Sequence, residues 1–205
     1  MKYADFSKLM EDQPYFDVAM VAQLTSEPRQ TLRTQLHRWS RAGKLIPLRR
    51  GMYAFSDRPR RRTVSPAALS NYLYKPAYLS THWALGYYGL IPERVAVFTS
   101  VTTRVPREFT NDFGTFRYSN IKKDLFFGYK PISMDDHKVL LAEPEKALLD
   151  LWHLERGEWD RARMSAMRFQ QKDVANQQRL NEFATRFHSP RIERAVEQWR
   201  SVVEP

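Results

Sequence analysis

The sequence predicts an α+β protein, with an N-terminal winged helix-turn-helix followed by a mixed α/β C-terminal domain and a helical tail. Three observations predict it. Leu32, Leu36 and Trp39 fall at helical spacing, with polar and basic residues between them. Two short apolar runs, Leu45-Ile46-Pro47-Leu48 and Met52-Tyr53-Ala54-Phe55, follow at once and are joined by Arg49-Arg50-Gly51. Beyond a Pro- and Arg-rich stretch, β-branched runs alternate with amphipathic ones. A helical period buries one face, and a short β-branched run between turn residues reads as a strand.

The elements follow in order. Lys2 to Asp12 reads as a first helix with Phe6, Leu9 and Met10 inward, ended by Pro14. Asp17 can cap a second helix, Val18 to Leu24, burying Ala19, Val21, Ala22 and Leu24. Thr25-Ser26 is the turn, and Ser26 is the expected N-cap of the third helix. Pro28 lies in that helix's first turn, where a missing N–H costs little. Gly43 is its C-terminal stop, and the hairpin completes residues 1–56 as a DNA-binding domain. Residues 57–66 carry four arginines and two prolines and few apolar side chains. They read as a basic linker, either a solvated tether or an arm on DNA.

Residues 67–205 form the second domain. Ala67–Tyr74 looks helical, and Ser80 can cap a helix through Tyr88 that Gly89 stops. Strands are expected over Val95–Val101, Thr115–Ser119, Leu125–Tyr129 and Lys138–Ala142, in a mostly antiparallel sheet. A helix opens at Pro144 with Leu148, Leu151 and Trp152 inward. In the tail, Leu180, Phe183, Ala184 and Phe187 form one stripe and Ile192, Ala195, Val196 and Trp199 another. Such stripes pack into a core or form a dimer surface, and core packing is the ordinary outcome.

Charge points to a partner. The chain has 205 residues and formal charge +10. Residues 1–66 hold 13 Lys/Arg against 6 Asp/Glu, a net +7, whereas residues 67–150 hold 10 against 9, a net +1. A clustered basic excess attracts phosphates and releases their counterions. On the third helix Arg29, Gln30, Arg33 and Thr34 lie toward the start, where side chains of such a helix reach base edges in the major groove. Arg can pair with guanine and Gln with adenine through two hydrogen bonds each. His37 and Arg38 lie a turn further on and suit phosphate; Arg49 and Arg50 at the hairpin tip suit phosphate or the minor groove. Double-stranded DNA is therefore the expected partner.

Other chemistry finds little support. There is no cysteine, hence no disulfide framework, thiolate nucleophile or Cys-type zinc site, which suits a reducing cytoplasm. The N-terminus lacks the uninterrupted apolar run of a signal peptide. No stretch approaches the ~18 apolar residues of a membrane span. The five histidines, His37, His82, His137, His153 and His188, show no metal-ligand spacing. There is no Gly-rich phosphate loop and no Gly-x-Ser-x-Gly elbow, so no catalytic, metal or cofactor residue is assigned. Asp136-His137-Lys138 offers an Asp-x-Lys pair, the basis of an alternative reading as a metal-dependent nuclease. A protein-interaction module is the other alternative, since winged helices also serve protein contacts.

The order of motifs resembles the AbiEi family, the antitoxins of type IV toxin–antitoxin systems. The resemblance is carried by Arg49-Arg50-Gly51-Met52-Tyr53-Ala54-Phe55, then Ser80-Thr81-His82-Trp83-Ala84-Leu85-Gly86-Tyr87-Tyr88-Gly89-Leu90-Ile91-Pro92. Phe98-Thr99-Ser100-Val101-Thr102-Thr103, Phe126-Phe127-Gly128-Tyr129 and Ala142-Glu143-Pro144-Glu145-Lys146-Ala147-Leu148-Leu149-Asp150-Leu151 complete it. It implies a winged-helix domain that binds operator repeats in the protein's own promoter, with Arg29, Arg33, Arg38, Arg49 and Arg50 as DNA contacts. It also implies a C-terminal domain that counters a nucleotidyltransferase-like toxin, with or without a direct complex. Antitoxicity is placed in residues 67–205 as a domain and on no single residue. Inverted repeats would need two copies of the chain, as a homodimer or side by side.

Overall fold

A computed structural model describes residues 1–56 and 63–203. The chain is mixed α+β and divides into two compact units. One comprises Met1–Ser65 with Phe109–Phe113, the other Pro66–Glu108 with Gly114–Pro205. The basic linker falls mostly at residues 57–62, outside the described residues. Its last position, Pro66, is the first residue of a helix.

The first unit has three helices, α1 (Tyr3–Leu9), α2 (Val18–Leu24) and α3 (Arg29–Arg41). Its three strands are β1 (Tyr15–Asp17), β2 (Leu45–Arg49) and β3 (Met52–Phe55). They form an antiparallel sheet with β3 in the middle. Strand β1 was not expected from the sequence; three residues are too few to show a period. An aromatic cluster holds the unit together. Phe6 packs 5.1 Å from Phe16 and 4.9 Å from Trp39, and Phe16 packs 5.1 Å from Phe55. Each such burial contributes about 1.5–3 kcal/mol.

Several expectations for these helices need correction. The first helix ends at Leu9 rather than Asp12, and Leu9 faces solvent. In α2 only Val18 and Val21 are buried; Ala19 and Leu24 are exposed and Ala22 is half-buried. Seven residues make two turns, too few to bury four apolar positions on one face. Asp17 does cap α2, accepting from Met20 N at 2.8 Å. Ser26 does not cap α3: Pro28 takes the N-cap position with no side-chain bond.

The other sheet has six strands, and all of it but Phe109–Asn111 lies in the second unit. In chain order the strands are β4 (Ala77–Leu79), β5 (Phe98–Thr102), β6 (Arg107–Asn111), β7 (Gly114–Asn120), β8 (Tyr129–Met134) and β9 (His137–Ala142). Their order across the sheet is β6-β7-β5-β4-β9-β8. The sheet is mixed rather than mostly antiparallel, because β5–β7 and β4–β9 pair in parallel. The strand expected from Val95 begins at Phe98. That expected over Leu125–Tyr129 is a 3-10 turn at Lys123–Leu125 and a loop, with Tyr129 opening β8. The aromatic run there is apolar because it packs, not because it pairs: Phe126 and Tyr129 lie 5.0 and 4.5 Å from the Tyr78 ring.

Around the sheet lie α4 (Pro66–Leu73), α5 (Thr81–Tyr87), α6 (Pro144–Leu154), α7 (Arg161–Ala166), α8 (Gln177–Thr185) and α9 (Pro190–Val203). Both tail stripes enter the core. Leu180, Ala184, Phe187, Ile192, Ala195, Val196 and Trp199 are all buried in the cluster built on α6 and the sheet.

At the centre of this unit is a buried polar network. Lys146 and Asp150, one turn apart on α6, form an ion pair with no solvent exposure. Tyr78 and Ser80 both donate to Asp150 Oδ2, at 2.9 and 2.7 Å, and Lys146 Nζ donates to Tyr78 Oη at 2.9 Å. Burial pulls the Lys146 ammonium below its ordinary pKa, with Asp150 pulling the other way. The same burial, reinforced by Asp150, holds the Tyr78 phenol well above its own. Ser80 sits at the α5 N-cap as expected, but its hydroxyl serves Asp150 rather than the helix. Gly128 has φ +69°, and a Cβ there would stand 3.0 Å from the Lys146 side chain, so glycine is needed for the lysine to fit.

Candidate nucleic-acid interface

Helix α3 presents two faces. Leu32, Leu36 and Trp39 are buried, and Arg29, Gln30, Arg33, Thr34, His37 and Arg38 are exposed on the other side. The i, i+4, i+7 spacing of the apolar residues fixes which side is which. After Ala42 caps the helix, Gly43 takes φ +70°, and Lys44 N bonds back to Trp39 O at 3.0 Å. The chain is thereby turned straight into β2.

The β2–β3 turn is shaped by Gly51 at φ +75° and by an irregularity in register between Pro47 and Arg49. The shift buries Leu48, while Arg49 is half-buried and Arg50 exposed. Arg49 Nη1 donates to Arg50 O at 3.3 Å, and Arg49 Nε is buried with no hydrogen-bond partner among the described residues. A buried donor of this kind costs free energy until something accepts from it.

Between helix and turn lies a cleft of about 520 Å³. Arg33 and His37 line it from α3, and Arg49, Arg50 and Gly51 from the turn. Asp17, Val18, Ala19 and Tyr53 complete the lining. The cleft thus gathers four of the eight side chains singled out in the sequence. Arg29, Gln30, Thr34 and Arg38 lie on the same exposed face of α3 but outside the cleft. Thr34 Oγ1 donates to Gln30 O at 3.1 Å, leaving its lone pairs as the free feature.

Sequence reasoning missed Asp17 and Tyr53 as parts of this surface. Asp17 is the one carboxylate in the lining and is committed to capping α2. Tyr53 is largely buried, which raises its phenol above the ordinary value. Both enter through the β1–β3 pairing, in which Asp17 lies opposite Met52.

The Asp-x-Lys pair has a structural explanation. Asp135 and Asp136, at φ +49° and +62°, form the two-residue turn between β8 and β9, where Met134 pairs with His137. Aspartate tolerates the left-handed region better than most residues, so the turn accounts for its presence. Among the described residues no three His, Cys, Asp or Glu side chains are grouped to hold a metal ion. None of the described helices is long and apolar enough to cross a membrane. No family model and no curated protein matches the chain.

Proposed function

We propose that the first unit is a winged helix-turn-helix that binds duplex DNA, with α3 in the major groove and the β2–β3 turn against the flanking backbone. The observation that carries this reading is the convergence of Arg33, His37, Arg49 and Arg50 on one cleft. Of the charged groups there, three are arginines and one is a carboxylate already engaged in a helix cap. Phosphate oxygens would accept from the exposed Arg33 and Arg50 guanidiniums that line the cleft. Arg29, Gln30, Arg33 and Thr34 would read base edges, with Arg38 on the backbone.

The motifs that resemble AbiEi antitoxins support a fuller reading. The chain would repress its own promoter at operator repeats, and its second unit would counter a nucleotidyltransferase-like toxin. Footprinting the purified protein on the DNA upstream of its own gene, across a salt series, tests the first half. A discrete protected repeat that persists near physiological salt is the expected result. Arg33→Ala should then weaken operator binding by about 1–3 kcal/mol and relax preference at one base position. Diffuse binding that vanishes with salt, or a variant with unchanged preference, would overturn the assignment. Rescue of cells expressing the adjacent toxin tests the second half.

A further inference from the structure

We infer that the second unit carries its own surface for the phosphate backbone of duplex DNA, built where the ends of β4, β5 and β7 meet. The near-neutral charge of residues 67–150 conceals it, because strand pairing gathers cations from distant parts of the sequence. Ala77 lies opposite Thr102, and Thr102 lies beside Asn120. The residues just beyond these positions therefore share one end of the sheet. Thr102 Oγ1 donates to Pro76 O at 2.7 Å, and Ile121 N to Thr102 O at 2.9 Å. Asn120 Nδ2 donates to Arg104 O at 2.9 Å, and Arg104 Nη1 to Lys75 O at 3.3 Å. Lys75, Arg104, Lys122 and Lys123 are thereby drawn together, all exposed. Arg186 joins them from the end of α8, donating to Asp124 O at 3.4 Å.

What holds these cations is informative. None of the five is in a salt bridge among the described residues. Instead, Lys75 sits 3.9 Å over the Tyr72 ring, Arg104 4.2 Å over Tyr74 and Arg186 3.4 Å over Phe127. An aromatic face positions these three cations without neutralising them, so their charge and the donors not given to Lys75 O and Asp124 O remain available. The acid among them is Asp124; the Asp135–Asp136 turn lies past β9 on the same side, with Lys138 beside it. An open row of cations with covered ring faces fits a repeating phosphodiester better than stacked bases or one small anion.

The surface adds to the proposed role of α3 and does not depend on it. The test uses the full chain with Arg33→Ala, Arg49→Ala and Arg50→Ala in place, binding a random-sequence duplex by fluorescence anisotropy over a potassium chloride series. Adding Arg104→Glu, Lys122→Glu and Lys123→Glu should lower the slope of log K against log salt by about 2–3, since each lost phosphate contact accounts for roughly 0.9. A charge-matched control, Arg94→Glu, Arg161→Glu and Arg200→Glu, changes exposed cations elsewhere in the same unit and should leave most of the slope. Circular dichroism verifies that both remain folded. Equal effects of the two sets would overturn the inference, as would a slope that neither changes. Loss of binding to phosphatidylserine vesicles with DNA binding intact would assign the surface to a membrane and also overturn it. A wild-type chain without sequence preference, whose slope still falls on changing this surface, would refute the reading of α3 alone.

Discussion

Lys146 shows what a single buried charge demands. Its ammonium has no exposure, and its partners are the Asp150 carboxylate and the Tyr78 hydroxyl. The Phe127 and Phe187 rings approach it at 5.0 and 5.3 Å. Removing one member of such a pair leaves the other charge buried without compensation, at a cost of about 3–5 kcal/mol. Lys146→Met should therefore lose about that much in urea unfolding. Lys146→Met with Asp150→Asn should lose less, because the amide still accepts from Tyr78 and Ser80 while no bare charge remains. A single variant within ~1 kcal/mol of wild type, or a double variant worse than the single, would contradict the account. The lysine figured in the sequence only within the Ala142–Leu151 motif. Nothing local told that the side chain points inward, because its partner Tyr78 lies 68 positions away.

At the scale of elements, what could be read from sequence divides by length and by range. Helix α3 was legible because three buried residues repeat over thirteen positions, and α6, α8 and α9 for the same reason. Strands β1 and β4 were not, being three residues long and defined by distant partners. Half of the candidate site was therefore legible as chemistry, while its enclosure by Asp17 and Tyr53 was not. Asp17 sits where these scales meet, ending β1, capping α2 and lining the cleft. Asp17→Ala should cost about 1 kcal/mol of stability through the lost cap. Asp17→Asn keeps an acceptor for Met20 N and removes the carboxylate from the cleft. It should lose less stability and, if DNA occupies the cleft, bind a duplex more tightly at low salt. Equal losses from the two substitutions would assign Asp17 a role other than capping.

For the whole molecule, the two units have separate hydrophobic clusters. The first is built on Phe6, Phe16, Leu36 and Trp39, the second on the sheet with Leu148, Trp152 and Trp199. A unit with a hydrophobic cluster of its own can open as a cooperative unit of its own. Leu36 and Leu148 are both fully buried, so truncating either to alanine should cost about 2–5 kcal/mol within its own unit. Hydrogen exchange read by peptide mass spectrometry distinguishes the cases. Leu36→Ala should lower protection in α2, α3 and β3 and leave β9 and α6 near wild type; Leu148→Ala should do the reverse. A fall in protection that spreads evenly over both units from either substitution would mean one cooperative unit instead. Independent units would let a regulator's DNA affinity and its second activity change by separate mutations, which is the arrangement the proposed function requires.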